Sequence, residues 1–161
     1  MIAYFDLATQ VVQAAKAKGV MISTAESCTG GMIAASLTDV PGSSVVFDRG
    51  YVTYSYASKT GMLDVSAALL EEYGAVSKQV AEQMASGALR NSDADIAISA
   101  TGVAGPGADG AKAEGLVWIG MATSNGVETR EMNYGAIGRD KVRLATVKTC
   151  LNWLFAVVSE S

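Results

Sequence analysis

The sequence predicts an α/β chain, a three-layer α/β/α sandwich whose mixed sheet has about five strands, mostly parallel with one antiparallel strand. Three observations predict it. From the N-terminus to Ser99, short β-type apolar runs alternate with amphipathic helical segments, the pattern of parallel strands joined by crossover helices. Later, an Asn125-Gly126 pair between two β-type runs signals a hairpin and so supplies the antiparallel strand. The 161 residues, 50% hydrophobic and 17% charged, are enough for one unit spanning 1–161 with a buried core.

The elements follow in order. Leu7, Val11, Val12, Ala15 and Lys18 recur at helical spacing and place a first helix over residues 4–18, ended by Gly19. Residues 20–24 form a short buried strand, and residues 31–37 the helix that follows a serine-glycine turn. The run Asp39-Val40-Pro41-Gly42-Ser43-Ser44 stops that helix. Residues 45–55 are β-branched and aromatic and predict a strand bent at Gly50, followed by a helical stretch carrying Lys59. Ser66 and Gly74 bracket a short helix between them, and Ser77 opens a longer one towards Asn91. Residues 96–99 are a strand that empties into a glycine-rich loop, residues 101–107. Residues 116–122 and 127–134 are the hairpin strands, and Arg139 starts a closing helix that turns Leu144, Val147, Leu151, Leu154, Phe155 and Val158 to the core.

Composition removes several function classes. A net charge of -4 argues against a general nucleic-acid binder, while leaving room for a small anion held by one arginine or a helix terminus. Charges and glycines interrupt the apolar stretches before the roughly 20 residues that span a bilayer, so no membrane segment is expected. Met1 to Asp6 lack the basic start and apolar core of a secretory signal, which predicts a cytoplasmic protein. Cys28 and Cys150 lie far apart without metal-type spacing; they are expected as reduced thiols, and neither a metal nor a cofactor is expected. The oligomeric state is left open, a homo-oligomer included.

The chain has no histidine, which removes Ser-His-Asp and Cys-His catalysis and the usual zinc enzymes. If Ser27 in the Thr24-to-Gly31 turn is a nucleophile, its base is something else, and lysine is the best-attested substitute. Ser27 itself has two readings, a cap for the helix beginning near Thr29 or a nucleophile beside free backbone N–H groups. Thr29 is the more natural cap, which leaves the Ser27 hydroxyl free. Lys59 is either a solvated lysine or a desolvated one whose lowered pKa lets a neutral amine take a serine proton. Tyr54 is either a core aromatic or a hydroxyl bonded to that lysine or serine. The 101–107 loop fits neither the P-loop nor the dinucleotide fingerprint and is either a connection or a ligand-facing backbone nest. Arg139 and Arg143 stand one helical turn apart, either as a solvated face or as an anion site at a helix N-terminus.

Five runs together carry a resemblance. Ala25-Glu26-Ser27-Cys28-Thr29-Gly30-Gly31, Pro41-Gly42-Ser43-Ser44, Arg49-Gly50-Tyr51-Val52-Thr53-Tyr54-Ser55 with Lys59, Gly74-Ala75-Val76-Ser77, and Thr101-Gly102-Val103-Ala104-Gly105-Pro106 resemble, in order and spacing, the CinA C-terminal domain family over nearly the whole chain. The resemblance implies a nicotinamide-nucleotide amidase that hydrolyses nicotinamide mononucleotide to nicotinate mononucleotide and ammonia in pyridine nucleotide salvage. It implies Ser27 as nucleophile, Lys59 as base and Tyr54 as supporting hydroxyl. The N–H groups of Thr29, Gly30 and Gly31 are then expected as oxyanion donors. Arg143 or Arg139, Ser43, Ser44, Thr101, Gly102 and Gly105 are the candidates for the substrate's 5'-phosphate. Lys112-Ala113-Glu114-Gly115 stands where related chains usually have Lys-Pro-Val-Gly, a departure that bears on substrate preference. Without the larger N-terminal domain of full-length members, the chain resembles the stand-alone amidase form. The alternative is a non-catalytic nucleotide-binding module, or a regulatory one acting through partners in competence or DNA damage.

Overall fold

In the computed structural model, which describes residues 4–161, the chain runs α1 (Phe5–Lys18), β1 (Ile22–Glu26), α2 (Met32–Thr38), a 3-10 turn (Ser43–Val45), β2 (Phe47–Val52), α3 (Tyr56–Leu63), α4 (Ala67–Tyr73), α5 (Lys78–Arg90), β3 (Ile96–Gly102), β4 (Leu116–Thr123), β5 (Gly126–Asn133) and α6 (Arg139–Ser159). The expectation drawn from Met1 to Asp6 falls partly on residues 1–3, which lie outside the described residues.

The five strands form one sheet in the order β2-β1-β3-β4-β5. β1 pairs in parallel with β2 on one side and β3 on the other, and β4 runs antiparallel between β3 and β5. Only β4 opposes the common direction, as the hairpin signal predicts. The chain leaves β1 for β2 on one side and returns from β2 to β3 on the other, so β1 and β3 flank a topological switch point. The crevice outside the carboxyl ends of such strands is where open α/β sheets hold ligands.

Strand alternation builds the two outer layers. Ile96, Ile98 and Ala100 of β3 and Val117, Ile119 and Met121 of β4 face a core shared with α1, α2 and α6. Ala25 and Ala97 face a second core beneath α3, α4 and α5. On that side Ser99 of β3 donates to the Ala81 carbonyl of α5 at 2.7 Å, and α5 lies close because it meets glycines. A Cβ on Gly87 would lie 1.9 Å from the Leu63 carbonyl oxygen, and one on Gly120 would lie 2.5 Å from that of Ala81. Gly87→Ala is therefore expected to destabilise the fold by about 1–3 kcal/mol, because the obstacle is backbone rather than a movable side chain. Denaturant midpoints of wild type and variant measure this, and equal midpoints would contradict the close approach.

Local chemistry sets the helix ends. Ser66 and Ser77 accept from the Leu69 and Val80 N–H groups, both at 3.3 Å, so α4 and α5 begin where expected. Ser55 and Ser58 form a reciprocal capping box on α3. Other boundaries move. β1 starts two residues later than the sequence predicts, because the Val20 N–H closes on the Ala15 carbonyl at the end of α1. The strand expected over residues 45–55 is shorter at both ends, since Val45 belongs to the Ser43–Val45 3-10 turn and β2 spans Phe47–Val52, and β3 extends to Gly102, which draws Thr101 out of the loop and into the sheet. The hairpin turns at Ser124 and Asn125, with Gly126 at φ +119° already paired to Thr123.

α6 is one continuous helix of 21 residues whose mean hydropathy of 1.2 would suit a bilayer. It is a core helix instead: Val142, Val147, Cys150, Leu151, Trp153, Leu154 and Val158 are buried. Phe155, expected inside, is exposed, and Leu144 is half-buried. Cys150 and Trp153 occupy the inner face in their place; both have low weight in a pattern reading, one as a small thiol and the other as a large amphipathic ring.

Candidate active site

Glu26 ends β1 at the switch point, and Ser27 follows it. The Ser27 N–H donates to the Ala100 carbonyl of β3 at 2.9 Å, while the Thr53 N–H donates to the Glu26 carbonyl at 2.9 Å. Those two bonds carry the sheet past its last paired residues and fix Ser27 between the ends of β3 and β2. The Glu26 side chain is fully buried, and its two oxygens accept from the Ile33 and Ala34 N–H groups at 2.8 and 3.0 Å. The carboxylate thus occupies the N-terminus of α2, where a capping group is most favourable. Thr29 is not the cap, and this helix end is not a cradle for a substrate phosphate. The sequence reading missed Glu26; a carboxylate closing an apolar strand is itself the signal, since buried charges are retained only with partners.

Between the strand end and α2 the chain turns through Gly30 at φ +58° and Gly31 at φ +99°, a conformation that requires glycine. The Gly30 N–H is spent on the Ser27 carbonyl at 3.1 Å, so it is not an oxyanion donor as expected. The N–H groups of Thr29 and Gly31 have no acceptor among the described residues. Arg143 reaches over from α6, donating from Nε to the Cys28 carbonyl at 3.1 Å and from Nη2 to the Thr29 carbonyl at 3.4 Å. It braces the turn, which leaves Arg139 as the outward-facing arginine of the pair.

Lys59 lies on the first turn of α3, which the Ser55 capping box starts. Four residues on, Leu63 shares its inner face, and both side chains are fully buried. Lys59 Nζ is 2.8 Å from Ser27 Oγ and donates to the Thr53 carbonyl at 2.6 Å. Burial pulls its pKa down from 10.5 to about 8, opposed weakly by the neighbouring Cys28 thiol. None of the ion pairs among the described residues involves it. A neutral amine here can donate to Thr53 and turn its lone pair to the serine hydroxyl. Thr24 Oγ1, Thr29 Oγ1 and Thr53 Oγ1 are buried without hydrogen-bond partners; unpartnered buried hydroxyls are uncommon.

The other predicted residues separate into two groups. Tyr54 is brought to the site's rim rather than to its centre: it is 62% exposed, and its hydroxyl accepts from Arg139 Nη2 at 2.8 Å, not from Lys59 or Ser27. Arg139 Nη1 donates to the Gly105 carbonyl at 2.7 Å, so this arginine bridges the end of β2 and the glycine-rich loop. Thr101 is buried and its hydroxyl donates to the Ala75 carbonyl at 2.8 Å, a tie to the α4–α5 junction rather than a free ligand group. Gly102 pairs with Val117, whose side chain a Cβ there would meet at 2.6 Å. Ser43 and Ser44 lie elsewhere. They precede Phe47, which pairs with Ile22 at the start of β1, whereas Ser27 follows its far end. A strand's length of roughly 15 Å separates them from Ser27.

Cys28, next to Ser27, is not an alternative nucleophile. Burial pushes its thiol up to about 12. Maleimide labelling at neutral pH is expected to be negligible in the folded protein and complete after denaturation; rapid labelling of the native protein would contradict the burial. Cys28 and Cys150 are both free. Among the described residues no group of three potential acidic, cysteine or histidine ligands could hold a metal ion.

Cavity size does not locate this site. A cavity of about 520 Å³, larger than the cleft beside the switch point, is lined by Lys18, Asp95, Ser124 and Ser161 at the opposite end of the sheet. A cleft of about 240 Å³ lies along residues 102–109 and Arg139, beside the switch point.

The chain is similar to known proteins along most of its length. The family model for the CinA C-terminal domain matches residues 5–158. The chain is 49% identical over 143 residues to the nicotinamide-nucleotide amidohydrolase PncC of Enterobacter agglomerans, covering 86% of this chain and 85% of that protein. It is 45% identical over 149 residues to a CinA-like protein of Geotalea uraniireducens, of which it spans only 35%. Among solved structures, the competence/damage inducible protein CihA from Agrobacterium tumefaciens superposes with a TM-score of 0.91 at 49% identity, covering 94% of this chain and 93% of that one.

Proposed function

The chain belongs to the CinA C-terminal domain family, and we propose that it is a nicotinamide-nucleotide amidohydrolase that converts nicotinamide mononucleotide to nicotinate mononucleotide and ammonia with a Ser27–Lys59 pair. The observation that carries this is a fully buried lysine amine 2.8 Å from a serine hydroxyl at the switch point of the sheet. The relative named for this activity shares most of its length with the chain.

Neutral Lys59 takes the Ser27 proton as Oγ attacks the carboxamide carbon, and the oxygen charge that develops meets the N–H groups of Thr29 and Gly31. The Lys59 ammonium then gives its proton to the amide nitrogen, the carboxamide C–N bond breaks, and ammonia leaves the acyl mononucleotide esterified to Ser27. Water attacks that ester with Lys59 again as base, and the proton returns to Ser27 Oγ as nicotinate mononucleotide departs. The Thr53 carbonyl holds the amine in line throughout. Arg139 at the rim is the cation placed to meet the 5'-phosphate, whereas Arg143 is committed to the turn.

An ammonia-release assay on nicotinamide mononucleotide, its riboside and free nicotinamide tests the proposal. Turnover with preference for the phosphorylated compound is the expected result. Binding of the mononucleotide with no ammonia released would replace the amidase reading with that of a nucleotide-binding module.

A further inference from the structure

Glu114, in the loop before β4, joins two segments of the rim that are distant in sequence. One carboxylate oxygen accepts from the Gly107 N–H at 2.7 Å, and the other accepts from the Gly138 N–H at 3.2 Å. Gly138 immediately precedes Arg139, whose guanidinium reaches back to the Gly105 carbonyl. Residues 105–107 and 138–139 are therefore clamped twice, by a carboxylate on one side and a guanidinium on the other. The space between them is filled: a Cβ on Gly105 would lie 2.5 Å from Glu114 Cδ.

Charge makes the arrangement consequential. Among the described residues Arg139 is the only cationic side chain lining the cleft along residues 102–109, and Asp109 lines it too. Glu114 adds a second negative charge beside the cleft, one that both N–H donors face and that forms no ion pair with Arg139. Charge-assisted bonds of this kind are directional and stronger than neutral ones. With a single cation available, the position of Arg139 decides how well a phosphate monoester is received.

We propose that Glu114 is a positioning residue which sets the preference for a phosphorylated substrate by holding Arg139 and the 105–107 turn in register on the rim. The inference rests on the amidase reading and specifies its selectivity. Glu114 touches no reacting atom, so its loss is expected in KM for the phosphorylated substrate and not in the chemical step.

Glu114→Gln keeps the volume but offers one acceptor where two N–H groups require one each; Glu114→Val removes both. Steady-state kinetics on nicotinamide mononucleotide and its riboside, with amide hydrogen exchange at Gly107 and Gly138, test the clamp. For Glu114→Gln, KM for the mononucleotide should rise about tenfold with kcat within about threefold, and riboside kcat/KM should change by less than about twofold. Glu114→Val should show a larger effect of the same kind, and exchange at both glycines should accelerate in either variant. Equal losses on the two substrates, a fall in kcat at constant KM, or unchanged exchange would overturn the inference. No ammonia from the wild-type protein removes the amidase reading and the inference with it, whereas wild-type turnover with an unaltered substrate ratio in both variants removes the inference alone.

Discussion

Ser27→Ala is expected to lower ammonia release from nicotinamide mononucleotide by about 10⁴-fold or more, the scale seen when a covalent nucleophile is removed. Binding and stability should change little. Ser27 is a nearly buried residue whose N–H bond to the Ala100 carbonyl survives the substitution, and only its Oγ contact with Lys59 is lost. Cys28 cannot substitute, because its thiol is held near 12 by burial and stays protonated at neutral pH. Mass spectrometry of a quenched wild-type reaction should find the acyl mononucleotide ester on the peptide containing Ser27. Undiminished turnover by Ser27→Ala would move the nucleophile elsewhere.

Lys59→Met should be as damaging, and Lys59→Arg should not rescue it, since a guanidinium does not deprotonate in a protein. The pH dependence carries the stronger test. With a pKa of about 8, roughly one Lys59 in ten is neutral at pH 7, so kcat/KM should rise about tenfold per unit at acidic pH and level off above about 8. The sign for stability follows from the same shift. The folded-state value is lower than the unfolded one of 10.5, so the unfolded chain holds the extra proton between about pH 8 and 10.5. The cost of burying the amine, about 3 kcal/mol, is fully present below pH 8 and is relieved as pH rises through that window. Relative to Lys59→Met, wild-type stability in urea should therefore increase across it. A constant difference between the two proteins would mean that Lys59 is not desolvated.

The absence of histidine is read from composition alone, and the glycine turn after an apolar strand was legible because it is a property of a few adjacent residues. Ser66, Ser77 and Gly74 marked helix ends correctly for the same reason: capping is decided within one turn. The errors share an opposite cause. Ser43 and Ser44 lie on a motif that looks functional but precede β2, and only the register of β2 on β1 shows that they stand at the wrong end of the sheet. Tyr54 is one residue past the carbonyl that Lys59 uses, yet its hydroxyl bonds Arg139, a residue 85 positions away. Glu26 escaped notice because its partners, two N–H groups on the next helix, exist only once the turn has folded.

By itself the sequence determined the α/β class, the hairpin and the helix ends at Ser66, Gly74 and Ser77, and its lack of histidine removed imidazole chemistry. These depend on periodicity, turn residues and composition, which short stretches of chain already possess. The tertiary structure alone decided which donors are free and which are spent. Gly30, Thr101, Arg143 and the N-terminus of α2 are all occupied by the protein's own carbonyls or carboxylate, whereas Lys59 is buried without a counter-ion among the described residues. A polar group's availability depends on what packs against it, and those neighbours come from distant parts of the chain.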